Sequence, residues 1–401
     1  MKTAYGIAIL CLSLCIIASC GGQDKTDAAF KASVDKTLAF AEMQLLKTAD
    51  AINDPTRFPE GTGPDGTWIT SNMYGWTSGF FPGSLWYAYE NSGNEQVKLQ
   101  AERWTAGLDS VQYYTGNHDL GFMMFCSYGN GYRLTGNEAY RDVIIQSARS
   151  LITRYNPVVG LIKSWNANDR WQYPVIIDNM MNLELLFWAS KHGGDQKMYN
   201  IAVTHALNTM NNHVREDGST PHVIDYDPET GAVRAINTHQ GFADNSTWAR
   251  GQAWGVYGFT MTYRETGDER FLKTAAKMAD WFIDHLPADH IPYWDFNAPQ
   301  QPPEPRDSSA GAIAASALLE LSTFVSDPSV KERYHSTAIS ILNELMSERY
   351  LADPATSQAV ILHGVGSKPH DKQVDVSLSY GDYYFIEALM RCKRGLVREP
   401  Q

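Results

Sequence analysis

Two aspartates stand where charged side chains have little reason to be. Asp119 lies in Tyr113-Tyr114-Thr115-Gly116-Asn117-His118-Asp119-Leu120-Gly121-Phe122-Met123-Met124-Phe125, a histidine–aspartate pair that opens directly onto a run of large apolar residues. Asp178 follows 59 positions later in Ile176-Ile177-Asp178-Asn179-Met180-Met181-Asn182-Leu183, again set between apolar pairs. The pattern predicts burial at both, and an acidic side chain is almost never buried unless it is paired or put to use. Two carboxyl groups at the mouths of apolar helices are the minimum for general acid/base chemistry on a sugar. The competing reading is local. Asp is a preferred helix N-cap, and each carboxylate would then only satisfy free backbone N–H groups.

A recurring turn indicates what positions these residues. It reads Ser92-Gly93-Asn94-Glu95, Thr135-Gly136-Asn137-Glu138, Gly193-Gly194-Asp195-Gln196, Thr266-Gly267-Asp268-Glu269 and, in degenerate form, Val325-Ser326-Asp327-Pro328. A helical pattern ends at the Gly, which tolerates a left-handed backbone, and the Asn or Asp caps the next helix. Apolar residues then resume at helical spacing, as in Phe271, Ala275, Met278 and Phe282. Five turns make five hairpins, and helical patterns over 30–52 and 376–392 supply a first and a last helix. Twelve helices in six pairs describe an all-α chain, an (α/α)₆ barrel over residues 30–392, with strand signals few and confined to loops. The turns recur at steps of 43 to 73 residues, so the long connections fall on the face opposite the tight turns. Those connections and the helix starts after them carry Trp76, His118, Asp119, Trp165, Trp171, Asp178, His222, His239, Gln240, Trp248, Arg250 and Trp254. The stretch 363–384, with Ser367, Lys368 and Tyr380, joins them. One shared face makes both aspartates candidate site residues.

Composition and termini set the bounds. Lys2 precedes an 11-residue apolar run, 7–17, too short to span a bilayer as a helix. Ile17-Ala18-Ser19-Cys20 then resembles the lipobox of bacterial lipoproteins. The expectation is a signal peptide over 1–19, a lipidated Cys20 and tether over 20–29, and a C-terminal tail over 393–401. The protein would then be exported and held in the periplasm or at the outer membrane by its lipid alone; an ordinary secretory signal is the alternative. A net charge of −12 argues against nucleic-acid binding and means that an anionic ligand needs a local basic cluster. Cys126 and Cys392 fall in apolar helical patterns and read as buried thiols, and there is no zinc-like cluster. The 11 Trp and 21 Tyr suit both an aromatic core and stacking against sugar rings.

Several motifs in order resemble glycoside hydrolase family 88, the unsaturated glucuronyl hydrolases, along essentially the whole mature chain. They are Gly-Trp-Thr-Ser-Gly-Phe-Phe-Pro-Gly (75–83), His-Asp-Leu-Gly-Phe (118–122), Ile-Asp-Asn-Met-Met-Asn-Leu (177–183), Thr-His-Gln-Gly (238–241), Trp-Ala-Arg-Gly-Gln-Ala-Trp (248–254) and Ser-Tyr-Gly-Asp-Tyr-Tyr-Phe (379–385). The resemblance implies an (α/α)₆ barrel without metal or organic cofactor. It implies action on oligosaccharides whose non-reducing end is a Δ4,5-unsaturated uronic acid left by a polysaccharide lyase. It makes Asp178 the general acid and base, and Asp119 the residue that helps hold substrate and tunes its partner. By the same similarity Trp76, His118, His222, Gln240, Arg250 and Trp254 line the subsite for the unsaturated ring.

The residue types suit that chemistry. Asp178 must hold a proton near neutral pH, which apolar neighbours and a second carboxylate both favour. Arg250 could grip the substrate carboxylate by charge-assisted hydrogen bonds, or could be a structural ion pair within the bundle. The Gly-rich, locally basic 363–372 reads as a loop touching the next sugar and its sulfate, or as ordinary surface. The related unsaturated rhamnogalacturonyl hydrolases and a non-catalytic surface glycan-binding lipoprotein are the alternatives. The Gln252-Ala253 pair speaks against the first, and the two intact aspartate motifs against the second. Oligomeric state is not legible from the sequence.

Overall fold

Each repeated turn ends one helix and starts the next by the chemistry its residues dictate. Gly93, Gly136, Gly193 and Gly267 all have positive φ, between 65° and 103°. The side chains of Asn94, Asn137, Asp195, Asp268 and Asp327 each accept the backbone N–H two residues on. These turns join α2 (Phe80–Ser92) to α3 (Glu95–Ala106), α4 (Asn130–Thr135) to α5 (Glu138–Ile152), and α6 (Leu183–Lys191) to α7 (Gln196–His213). They likewise join α8 (Ala249–Thr266) to α9 (Glu269–Asp284) and α10 (Ser308–Leu321) to α11 (Pro328–Leu345). Helices α1 (Ala4–Ile52) and α12 (Ser379–Lys393) complete the set of twelve. The computed structural model describes residues 4–299 and 301–395, with side chains from residue 28 onward. Residues 1–3 of the expected signal peptide, the Cys20 side chain that would carry the lipid, and the last tail residues, 396–401, lie outside what is described.

The helices form two concentric rings, the (α/α)₆ barrel. In the inner ring α2 packs on a π-helical segment, Gly121–Gly129, that runs into α4; this segment meets α6, then α8, α10 and α12 follow, and α12 returns to α2. The long inner helices are buried nearly all round: every residue of α10 is buried, and α12 is buried from Ser379 to Met390. The outer helices α1, α3, α5, α7, α9 and α11 bury one stripe, as Phe271, Ala275, Met278 and Phe282 do on α9. Among the described residues no helix is long and apolar enough to cross a membrane. Cys126 and Cys392 are free thiols of intermediate exposure. Two boundaries differ from expectation. Residue 376 ends a strand, so the last helix starts at Ser379. Lys393, expected in the tail, is the final residue of α12 and pairs with Asp35 of α1 at 2.9 Å.

Short antiparallel strands occupy the long connections. They are β1 (Arg57–Thr62) with β2 (Trp68–Asn72), β3 (Tyr155–Asn156) with β4 (Leu161–Ile162), and β8 (Gly364–Ser367) with β9 (Lys372–Val376). A three-stranded sheet is ordered β5 (Pro174–Ile176), β6 (Val223–Tyr226), β7 (Val233–Asn237). Its register pairs Ile176 with Val223, and the Ile177 N–H donates to the His222 carbonyl at 3.3 Å. That register brings His222 beside Asp178 across 44 residues of chain.

Candidate active site

Asp119 and Asp178 meet at the mouth of the inner ring, in a cleft of about 70 Å³ lined by Trp76, His118, Asp119, Trp165, Ile176, Asp178, Gln240 and Arg250. Neither carboxylate caps a helix. The π-helical segment after Asp119 and the 3₁₀ turn Ile177–Asn182 that carries Asp178 both start without a side-chain cap. The local reading of both aspartates therefore fails. Their separation is held by a staple: the Phe122 N–H donates to Asn182 Oδ1 at 3.0 Å. Gly121 makes room for it, since a Cβ there would lie 2.5 Å from the Asn182 Cα.

Each aspartate is only 7% exposed. Burial raises Asp178 to about 7, although Arg250 pulls the other way. Burial and the neighbouring Asp178 charge raise Asp119 to about 8, against a lowering pull from Arg154. A histidine stands by each: His118 Nε2 is 3.3 Å from Asp119 Oδ1, and His222 Nε2 is 3.9 Å from Asp178 Oδ2. Burial takes His118 down to about 3 and His222 well below its usual value, so both rings are neutral at working pH. The tautomer of His222 is set by its surroundings. Its Nδ1 accepts the backbone N–H groups of His239 and Gln240, both at 3.1 Å, so the proton sits on Nε2, which faces Asp178. The Asp178 Oδ2, the Trp254 indole N–H and the Tyr380 hydroxyl are all buried without a hydrogen-bond partner among the described residues. Buried polar atoms left free beside a cleft are those a ligand would satisfy.

The expected residues divide into walls, the rings behind them, and braces. Trp76 and Trp165 are walls. Trp254 and Tyr380 stand behind the lining: Trp76 lies 4.8 Å from the Tyr380 ring, and Trp254 lies 5.0 Å from Phe122. Trp248 packs between His222, at 4.6 Å, and the Arg250 guanidinium, at 4.3 Å. Arg250 is a brace. Its Nη1 bonds Asp307 at 2.9 Å and the Val365 carbonyl, and its Nη2 bonds the Gly366 carbonyl at 2.7 Å. Gln240 donates to the same Gly366 carbonyl at 3.0 Å. Arg250 thus fastens the β8–β9 hairpin to the cleft, and only its Nε is buried without a partner.

On that hairpin, the Ser367 hydroxyl bonds His370 Nδ1 at 2.7 Å, and the His370 ring stacks 4.4 Å from His239 at the rim. His239 in turn sits 5.2 Å from Trp165 and 5.9 Å from Trp171. Lys368 departs from expectation. It opens the 3₁₀ turn Lys368–His370 that joins β8 to β9, and it lines a separate depression with Arg306, Arg349 and Tyr350.

Sequence reasoning passed over Arg154, Asn179, Asn182 and Asp307. Asp307 had a visible signal, the Asp-Ser-Ser order of an N-cap, and it does accept the Ser309 N–H at 3.1 Å. The others act through tertiary contacts that no local pattern announces. Asn179, for example, donates to the Ile162 carbonyl at 2.7 Å.

Residues 50–384 match the family model described as Glycosyl Hydrolase Family 88. An unsaturated glucuronyl hydrolase of Formosa agariphila is 47% identical over 327 residues, 80% of each chain. A crystal structure of an unsaturated glucuronyl hydrolase specific for heparin superposes with a TM-score of 0.87 at 44% identity, covering 91% of this chain and 98% of that one. An Asp-to-Asn mutant of the Streptococcus agalactiae unsaturated glucuronyl hydrolase, complexed with dGlcA-GalNAc6S, superposes at 0.79 with 32% identity, covering 90% of this chain and 92% of that one.

Proposed function

The chain belongs to glycosyl hydrolase family 88, and from that premise we propose that it removes the Δ4,5-unsaturated uronic acid from the non-reducing end of lyase-generated oligosaccharides of the glycosaminoglycan or ulvan type. One observation carries the reading. Two buried carboxyl groups share one cleft, and neither is hydrogen-bonded to a cation. An acid that keeps its proton near neutral pH is what the substrate needs, because its reacting bond is a vinyl ether conjugated to a carboxylate.

Asp178, raised to about 7, delivers its proton to C4, and positive charge develops between C5 and the ring oxygen. Water adds at C5 and returns a proton to Asp178. The hemiketal so formed opens, releasing the aglycone and an open-chain keto acid. Asp119 shares the cleft with Asp178, and the charge of either one makes the other harder to ionise, so the pair carries no more than one negative charge near neutral pH. The Nε2–H of neutral His222, aimed at Asp178, steadies that carboxylate once it has given up its proton. A non-catalytic glycan-binding role is not favoured, since two buried, cation-free carboxyls are costly unless used.

The test is a panel of lyase-generated disaccharides followed by ultraviolet absorbance. The conjugated double bond should disappear with at least one member and release its second sugar. Absorbance that persists across chondroitin, heparin and ulvan disaccharides would remove the assignment.

We also propose that the chain is an exported lipoprotein held at Cys20, on the strength of Ile17-Ala18-Ser19-Cys20 after its apolar run. Cys20→Ala should then move the protein from the membrane to the soluble fraction of cells; retention in the membrane would place the anchor elsewhere.

A further inference from the structure

Ser164 is a buried hub that holds three walls of the cleft without lining it. It lies in the loop between β4 and β5 and has no exposed surface. Its N–H donates to the Pro174 carbonyl at 2.9 Å, and its carbonyl accepts the His118 N–H at 3.2 Å. Its hydroxyl accepts the Ile176 N–H at 3.0 Å, and Trp165 is the next residue along the chain. His118, Trp165 and Ile176 all line the cleft, and they come from three separate stretches of chain. Arg154, buried just past α5, braces the same loops. Its Nε donates to the Lys163 carbonyl at 2.9 Å, its Nη1 to the Thr115 carbonyl and to Asn166 Oδ1 at 3.3 Å, and its Nη2 to the Ser164 carbonyl at 3.4 Å.

Two cross-links therefore enclose each aspartate. After them comes the bond from the Phe122 N–H to Asn182 Oδ1: Phe122 lies three positions past Asp119, and Asn182 four past Asp178. Before them comes Ser164, which bonds His118, one position ahead of Asp119, and Ile176, two ahead of Asp178. The short segments 118–122 and 176–182 are thus fastened to each other near both ends. Of the Ser164 bonds, only the one made by the hydroxyl depends on residue type, since any residue brings a carbonyl. Ile176 has need of that hydroxyl. The Ile177 N–H turns toward β6, so the Ile176 N–H turns away from the ladder and its partner is Ser164.

We propose that Ser164 is a positioning residue, whose hydroxyl and carbonyl together set the spacing of the segments that carry Asp119 and Asp178 and, with it, the pose of the Trp165 wall. This rests on the function proposed above, and it accounts for the second link: with one alone, the segments would hinge about the Phe122–Asn182 bond. An acid must stand within hydrogen-bond reach of the atom it protonates, so spacing acts on rate. Ser164 acts through its neighbours alone.

The experiment compares Ser164→Ala, which deletes the hydroxyl, with Tyr173→Phe. The Tyr173 hydroxyl lies 2.8 Å from the Arg154 and Leu161 carbonyls, in the same group of loops, and ties down no residue of the lining. Both variants lose a buried hydrogen bond and should melt below wild type. On an unsaturated disaccharide, Ser164→Ala should lose about tenfold in kcat with KM within about threefold, because a displaced acid is felt in the transition state. Tyr173→Phe should keep kcat within about twofold. A wild-type kcat in Ser164→Ala, or a loss no larger than that of Tyr173→Phe, would overturn the proposal.

Backbone hydrogen exchange needs no substrate. In Ser164→Ala the amides of both 118–122 and 176–182 should exchange faster than in wild type, while those of α11 keep their rates. Faster exchange in 176–182 alone would refute the coupling. Should Ser164→Ala not fold, Ser164→Cys, close in shape but a weak acceptor, takes its place under the same outcomes. If the wild type turns over no unsaturated disaccharide, the functional reading fails while the exchange rates still decide the role of Ser164.

Discussion

The two ends of the inner ring hold the same ingredients in opposite arrangements. At the tight-turn end, Glu320 accepts from Arg264 at 2.8 Å and from Arg391 at 2.7 Å, and Arg264 also bonds Glu184 and Glu265. Glu387 is held by the hydroxyls of Tyr87 and Tyr257, at 2.9 and 3.1 Å, and by Ser316. Burial alone would raise Glu320, but the two guanidinium groups overrule it and hold it at about 2. At the open end Arg154 and Arg250 are also buried, yet most of their donors go to backbone carbonyls, and Asp119 and Asp178 rise to about 8 and 7. Proximity of a cation does not decide whether a buried carboxyl is inert or reactive. What decides it is whether the cation's hydrogen bonds end on that carboxyl.

The sharpest way to break the contrast is Asp178→Asn. An amide keeps the shape and cannot relay a proton, so turnover should fall by about 10²–10⁴-fold with the melting temperature held or raised. Near-normal activity in that folded variant would mean the reactive end has been misidentified.

Glu320→Gln should do the reverse. It takes away the carboxylate that Arg264 and Arg391 share, leaving Arg264 with Glu184 and Glu265 and Arg391 with Glu387, and should cost about 1.5–3 kcal/mol of unfolding free energy, while activity per folded molecule stays within about twofold. Denaturant titration alongside the absorbance assay separates the two effects.

Gly121→Ala tests the staple between the aspartates. The new Cβ, 2.5 Å from Asn182, must push the two segments apart, and a displacement near 1 Å should lower kcat by about 10²-fold. Unchanged kcat would show that the spacing is not critical.

The smallest effect is a pH-dependent one. Folded Asp119 holds its proton to about pH 8, well above an unfolded carboxyl, so the wild type loses stability as pH rises from about 4 through 8. Asn does not ionise. Asp119→Asn should therefore match wild type near pH 4 and exceed it by a margin that widens up to pH 9. A stability gap that does not widen with pH would mean Asp119 titrates normally.

Much of this was legible in the chain itself, for a physical reason. The turn from Gly93 to Glu95 and its four echoes are local devices, complete within a few residues, so they fix helix ends and hence the ring. Asp119 and Asp178 were visible because a charge in an apolar run violates the pattern around it. Arg154 violates nothing: it ends an amphipathic helix, where a basic residue is ordinary. Its distinction lies in carbonyls 9 to 39 positions away. Lys368 was misplaced for a related reason, since composition shows that a loop is basic but not which way each side chain turns.

The ring is closed by residues from its two ends. Gln44 of α1 donates to the Ser357 and Ala359 carbonyls, 313 and 315 positions downstream, and α12 wedges between α1 and α2. Such long-range contacts are made late, because closing the intervening loop costs entropy that they alone repay. Tyr380, behind the cleft wall, belongs to that last helix. Until α12 docks, Trp76 lacks the Tyr380 ring at 4.8 Å, and the Arg250 guanidinium lacks the same ring at 5.1 Å. A chain emerging from its point of synthesis thus carries both aspartates long before it carries a pocket, and it stays chemically silent until its final helix seats.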